Sequence, residues 1–265
     1  MNISKKLILL ALFIYLPVQA MAWGAIGHRI VGQVADSYLT PKARLALQKI
    51  LGNESLAAAS TWADFIKSDP SYKYLTPWHY LDFEPGQSYE QTMAYLKVDT
   101  TVDAYTKLNF IMGQLKNRAN LPHDKVLMYT RLLIHIIGDI HQPFHVGRSE
   151  DQGGNKIEVF WNFTEKTNMH SVWDSKLIES QQLSFTEYTS FINFTTAAQR
   201  AEWQKTDLKQ WIYESNVISE KLYGEIKPGD KLGYNYIFDH IGIVNQQLLK
   251  GGVRLAGLLN KIFGA

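Results

Sequence analysis

The chain has 265 residues, 46% of them hydrophobic, with 27 Lys and Arg against 25 Asp and Glu and no cysteine. That length suffices for a sizeable core, and no Ser/Gly/Pro-rich linker or charge run divides it, so one folding unit is expected. The lack of cysteine excludes disulfides, thiolate metal ligands and a lipid-modified cysteine anchor, and the near balance of charge excludes a generally basic surface as the means of attracting an anionic ligand.

In chain order, Lys5 and Lys6 precede the apolar run Leu7 to Leu16, and Ala20-Met21-Ala22 has the small-x-small pattern cut by signal peptidase. Residues 1–22 therefore read as a secretory signal peptide, and the mature chain is expected to begin at Trp23. The apolar run is about half of the roughly 20 residues that span a bilayer, which argues against a membrane anchor. Cleavage also removes Lys5 and Lys6, leaving 25 basic against 25 acidic side chains. An exported, cysteine-free chain fits a periplasmic or secreted bacterial protein. Asn53, Asn162 and Asn193 open glycosylation sequons, which matter only in a eukaryotic source.

Helical periodicity dominates the chain beyond Trp23. After Thr40 as N-cap and Pro41 at the first helical position, Ala43, Ala46, Leu47, Ile50 and Leu51 form one apolar stripe that Gly52 stops. Similar patterns predict helices over 28–39, 101–118, 124–140, 206–223 and 231–262, the last interrupted or bent near Gly251-Gly252. One strand is predicted, where Ile157, Val159 and Trp161 alternate after the turn Gly153-Gly154-Asn155. The expected fold class is mainly α, a single-domain multi-helix bundle with a small β-hairpin at about 150–165.

The histidines and aspartates carry the chemistry. In RLLIHIIGDIHQPFHVG, His135 and Asp139 are four residues apart, about one helical turn, so both side chains leave the same side; His145 follows Pro143. His170 and Asp174 repeat the spacing, and Asp64 in TWAD and His79 in PWHYLD stand among apolar residues. One such pair is also what an ordinary helix-side hydrogen bond looks like. Two pairs in apolar surroundings, with few cations nearby to answer the carboxylates, point to metal ions. Imidazole and carboxylate without thiolate suit zinc or another first-row ion better than magnesium or calcium. The eight candidates, His28, Asp64, His79, His135, Asp139, His145, His170 and Asp174, exceed one tetrahedral ion and leave two or three open-sided ones, as catalysis requires.

The ordered set WGxxGH, TWAD, PWHYLD, HxxGDxHQPxHxG, GGN and NxHxxWD, running over most of the chain from Trp23, resembles the S1/P1 nuclease family, exported zinc-dependent nucleases specific for single strands. The resemblance implies the phospholipase C/P1 nuclease-like helical fold and three zinc ions per chain. By analogy Asp64, His79, His135 and Asp139 hold the first; His145, His170 and Asp174 the second; and the Trp23 main-chain nitrogen and oxygen, His28 and again Asp139 the third. It implies hydrolysis of single-stranded DNA and RNA to 5′-mononucleotides by a metal-bridging hydroxide, with 3′-nucleotidase activity, in a monomer that needs neither a protein partner nor a membrane. Asp64 and Asp139 then act in catalysis, and Lys67 stands where members carry a basic residue facing the transition-state phosphate; a solvated lysine is the alternative. Tyr80 and Asp82 align with residues that hold a nucleobase, although Tyr80 can also be simple packing. Asn155 either contacts substrate or shapes its turn. His141, His123 and His240 are not expected to bind metal. A zinc phospholipase C and a non-catalytic exported metal-binding protein are the competing readings.

Overall fold

The computed structural model describes residues 23–264; the expected signal peptide lies outside the described residues. The architecture is a bundle of helices with one small sheet, and its buried apolar side chains form a contiguous cluster from Trp23 to Phe263. The helix Ala25–Ser37 packs against the long C-terminal helix Tyr234–Phe263, and the central helix His123–Asp139 lies against both.

The C-terminal helix runs unbroken through Gly251-Gly252, which corrects the expected interruption. A Cβ at Gly252 would come within 2.4 Å of the Val34 Cβ and 2.9 Å of the Val31 carbonyl, so the glycine serves close helix approach, not a bend. Pro41–Leu51 follows its sequence signals: Thr40 Oγ1 accepts from Ala43 N, and Gly52 ends the helix at a φ of 64°.

Ala104–Lys116 and Leu208–Glu225 match predicted helices, whereas Tyr89–Val98, Phe185–Ile192 and Ala197–Lys205 were not anticipated. Each of those three opens with a reciprocal cap, Ser88 with Gln91, Ser184 with Glu187 and Thr196 with Gln199, a spacing visible in sequence.

The hairpin lies further along than 150–165. Strand β1 (Glu158–Trp161) pairs antiparallel with β2 (Glu165–Asn168), and β3 (Lys231–Leu232) adds in parallel on the other side of β1. Val159 and Trp161 are buried, as the alternation required. Residues 150–157 are turns instead, forced by left-handed backbone at Gln152, Gly153 and Gly154.

Candidate metal centre and substrate cleft

Five short segments converge at one end of the central helix. Asp64 sits on the one-turn helix Trp62–Ile66, and His79 ends the 3₁₀ segment Pro70–His79. His135 and Asp139 occupy the last turn of His123–Asp139, and Pro143 then starts a 3₁₀ turn that carries His145. The link between His79 and His145 is a short parallel pairing in which Leu81 N donates to His145 O at 2.9 Å and Phe83 N to Gly147 O at 2.9 Å. Beyond β2, His170 lies in a single α-turn and Asp174 in the π-helical turn Val172–Lys176. His28 comes from the first helix, and Gly24 N ties the start of the described chain to the Asp174 carbonyl at 2.8 Å.

The donor atoms form three groups: Asp64, His79 and His135; His28, His135 and Asp139; and His145, His170 and Asp174. A tetrahedral zinc with nitrogen and oxygen ligands at about 2.0–2.2 Å holds its donors about 3.2–3.6 Å apart. In the first group His135 Nε2 is 2.9 Å from His79 Nδ1, 3.3 Å from Asp139 Oδ2 and 3.7 Å from Asp64 Oδ1. Asp139 turns its other oxygen to His28, with Oδ1 3.2 Å from Nε2. In the last group Asp174 Oδ1 is 3.6 Å from His145 Nε2 and Oδ2 is 3.2 Å from His170 Nε2.

The residues fit metal by a second observation. His28 Nε2, Asp139 Oδ1, His145 Nε2 and His170 Nε2 are buried without a hydrogen-bond partner, although each faces its cluster. The rings of His135, His145 and His170 are meanwhile fixed from behind: His135 Nδ1 meets Ser60 O at 2.6 Å, His145 Nδ1 meets His79 O at 2.7 Å and His170 Nδ1 meets Gly153 O at 2.6 Å. An imidazole whose outer nitrogen is spent on a carbonyl presents the inner one as a metal ligand.

Electrostatics agree. Burial alone would raise Asp64 and Asp139, but His135 beside both, with Lys67 also at Asp64, outweighs it and holds the two carboxyls below the ordinary range. Burial pushes His135 down to about 3, only partly opposed by Asp139, so its ring is neutral and free to ligate. His145 departs from this pattern: burial is overcome by Asp174, which pushes the imidazole up to about 9, so this ring sheds a proton in order to ligate. Ionised carboxylates packed this deeply call for cations among them.

Two supporting residues went unassigned in sequence. Gln142 is fully buried; its Nε2 donates to Asp174 Oδ1 while its Oε1 accepts from Phe144 N at 2.6 Å. Gly138 lies where a Cβ would meet His28 Nδ1 at 2.9 Å, so it makes room for that ring. Gln142 stands inside the HxxGDxHQPxHxG motif, but nothing in its spacing reveals Asp174 as its partner.

Two of the three candidate groups open onto a cleft of about 490 Å³ that His79, His145 and His170 share with Lys67, Tyr80, Asp82 and Asn155. Lys67 Nζ rests 2.7 Å from Asp64 Oδ1. Tyr80 is 40% exposed, so its ring is available to a ligand. Burial, reinforced by Asp151, raises Asp82, while His145 and His170 pull against it. Asn155 Nδ2 donates to Gln152 O at 2.8 Å, so it supports the turn while facing the cleft. Phe144 and Gln152 line the same wall and were not expected there. Trp23 is fully buried beside Gly27 and Gly138. His123 starts its helix exposed, His141 binds Ile137 O and Arg254, and His240 binds Tyr236 O and Glu225; none of the three joins a cluster.

A family model described as S1/P1 Nuclease matches residues 23–264, the whole of the described chain. The chain belongs to the S1/P1 nuclease family. It is 32% identical to Endonuclease 3 of Arabidopsis thaliana over 93% of this chain and 90% of that one. It is also 29% identical to Nuclease P1 of Penicillium citrinum over 92% and 98% of the respective chains. Nuclease S1 of Aspergillus oryzae aligns at 31% identity over 59% of this chain and 55% of its own. An S1/P1 family member is a phosphodiester hydrolase acting on nucleic acid, and the helix-rich fold with its small sheet is the one the resemblance implied. Among the described residues no helix is long and apolar enough to cross a membrane.

Proposed function

We propose that this chain is an exported, zinc-dependent nuclease that degrades single-stranded DNA and RNA to 5′-mononucleotides and removes the 3′-phosphate of nucleotides. It works as a monomeric single domain once cut before Trp23. The observation that carries this reading is that His79, His145 and His170, from two of the three His/Asp groups, line one cleft with Tyr80 and Asp82, while the third group shares His135 with the first.

Asp64, His79, His135 and Asp139 would hold one ion; His145, His170 and Asp174 a second; and His28, Asp139 and the Trp23 main chain a third. When bound, zinc supplies the Lewis acidity that polarises a phosphoryl group and activates water. The rest falls to the chain's own side chains. Asp139, offering one oxygen to each of two groups, keeps their separation constant. Lys67 leaves Asp64, its partner at 2.7 Å, to donate to a non-bridging phosphate oxygen, which favours the more negative transition state. Tyr80 offers a ring face to the base and Asp82 accepts from its edge, while Asn155 donates beside them. Stacking requires a base with a free face, which a paired base lacks, and this supports single-strand preference.

The test is hydrolysis by purified protein of verified N-terminus and zinc content, with single-stranded DNA, duplex DNA, RNA, 3′-AMP and phosphatidylcholine as substrates. Cleavage of the single strands and of 3′-AMP, well above duplex, is expected. Lipid hydrolysis without nuclease activity would overturn the proposal in favour of a phospholipase, and metal binding with no hydrolysis would leave a storage protein.

A further inference from the structure

A second cleft, of about 540 Å³, lies where the ends of three helices meet, and it shares no lining residue with the first. Lys116 ends Ala104–Lys116, Lys205 ends Ala197–Lys205 and Lys261 lies in the last turn of Tyr234–Phe263. Lys209, in the first turn of the next helix, completes the set, and all four lysines line the cleft.

Several other cations are paired with carboxylates, Lys67 with Asp64, Arg148 with Glu220, Lys250 and Arg254 with Glu214. None of these four lysines has a carboxylate partner among the described residues. A lysine at a helix C-terminus complements the helix dipole. That accounts for each of three singly, but not for four lysines around one hollow whose single acidic lining residue, Asp207, caps the next helix by accepting from Gln210 N at 3.2 Å. Apolar and aromatic surface from Tyr105, Met112 and Trp211 supplies the floor.

The helix Ala104–Lys116 connects this hollow to the catalytic cleft. At its start Ala104 N donates to Tyr80 O at 3.0 Å, directly behind the base-binding ring. Tyr105, Asn109, Met112 and Lys116 then follow at helical spacing on one face and all border the basic cleft. Thirteen residues carry that face about 18 Å.

We infer that this cleft is a second binding site for the phosphate backbone of a single-stranded polynucleotide, which follows the Tyr105 to Lys116 face away from Tyr80. It rests on the nuclease reading and deepens it: the catalytic cleft takes the reacting nucleotide, and the four lysines hold phosphates of the same strand further along. A cleft of net positive charge with an aromatic floor is the chemistry that retains a single strand without reading its sequence.

The test compares the zinc-loaded wild type with the Lys116→Glu/Lys209→Glu/Lys261→Glu variant on a 40-nucleotide single-stranded DNA and on a dinucleotide, across a salt series. The expected result is a rise in KM of about ten-fold for the 40-mer at low salt, with kcat and dinucleotide kinetics unchanged. Three lost phosphate contacts should flatten the slope of log KM against log salt by about 2. The milder Lys→Gln triple variant, with thermal stability measured alongside, separates this from a dipole role, because a dipole role lowers Tm without touching KM. Equal KM for the 40-mer in wild type and variants overturns the inference, as does equal weakening toward the dinucleotide, or binding of anionic phospholipid vesicles in place of a non-hydrolysable phosphorothioate 20-mer. A wild type that cleaves neither substrate would instead sink the nuclease reading itself.

Discussion

Asp139 and His28, more than a hundred residues apart in sequence, meet at 3.2 Å through the one Asp139 oxygen that His79 and His135 do not approach. A single carboxylate thus serves two of the three groups. Asp139→Ala is therefore expected to lower zinc content by about two ions per chain at once and to abolish hydrolysis, while His145, His170 and Asp174 keep their ion. Metal analysis of the purified variant checks this; loss of a single ion would refute the shared role.

Under the proposed function, the third ion depends on how the chain begins. Trp23 is buried against Gly27 and Gly138, and Gly24 N is held by Asp174 O at 2.8 Å, so Trp23 and Gly24 are seated beside Gly138 and Asp174. A chain that keeps Met21-Ala22 carries an amide where a free amine is needed as ligand. It is expected to bind about one zinc fewer and to lose most activity. Full activity from such an extended chain, its N-terminus verified by mass spectrometry, would show that Trp23 only packs.

Gln142 holds Asp174 by one oxygen and the Phe144 amide by its own carbonyl, so it sets the direction in which Asp174 faces His145 and His170. Removing an outer partner of a ligand weakens metal binding by about 10- to 100-fold. Gln142→Leu should show that loss for one ion in chelator competition and leave the His79/His135 group loaded. Unchanged affinities would assign Gln142 to packing alone.

A pH effect is expected at the cap of Ala104–Lys116. Burial, with Asp99 adding to it, pushes Asp103 up to about 6, while Asp99 moves the opposite way, so the two share a proton. A folded pKa above the unfolded value near 3.9 contributes stability that is complete below about pH 4 and lost as pH rises through about 6. Asp103→Asn keeps an oxygen for the Thr106 amide and removes that loss. Its stability relative to wild type should improve from pH 4.5 to 7 by about 1 kcal/mol after allowance for solvent screening, or about 2–4 °C in Tm. Melting curves whose difference is the same at both pH values would contradict the shared proton.

Much of the site was legible from residue order. The i,i+4 pairs His135/Asp139 and His170/Asp174 declare a common side because helical pitch is local, and Thr40-Pro41 and Gly52 mark a helix by chemistry confined to a few residues. The caps at Ser88, Ser184 and Thr196 are equally local; the helices after Ser88 and Thr196 were missed for want of a strong apolar stripe, and Phe185–Ile192 because its stripe runs for only eight residues. Gly251-Gly252 misled because a glycine pair suits a bend and a close helix crossing alike, and only the position of Val31 and Val34 decides between them.

The amino-acid sequence by itself determined which donors exist, in what order and with which neighbours on a helix, and that sufficed for the family and the kind of chemistry. Tertiary structure alone decided how the two oxygens of Asp139 are divided, that Gln142 reaches Asp174, and that lysines from four helices surround one hollow. Those contacts join residues tens to more than a hundred positions apart, so they follow from how the helices pack and not from any local period.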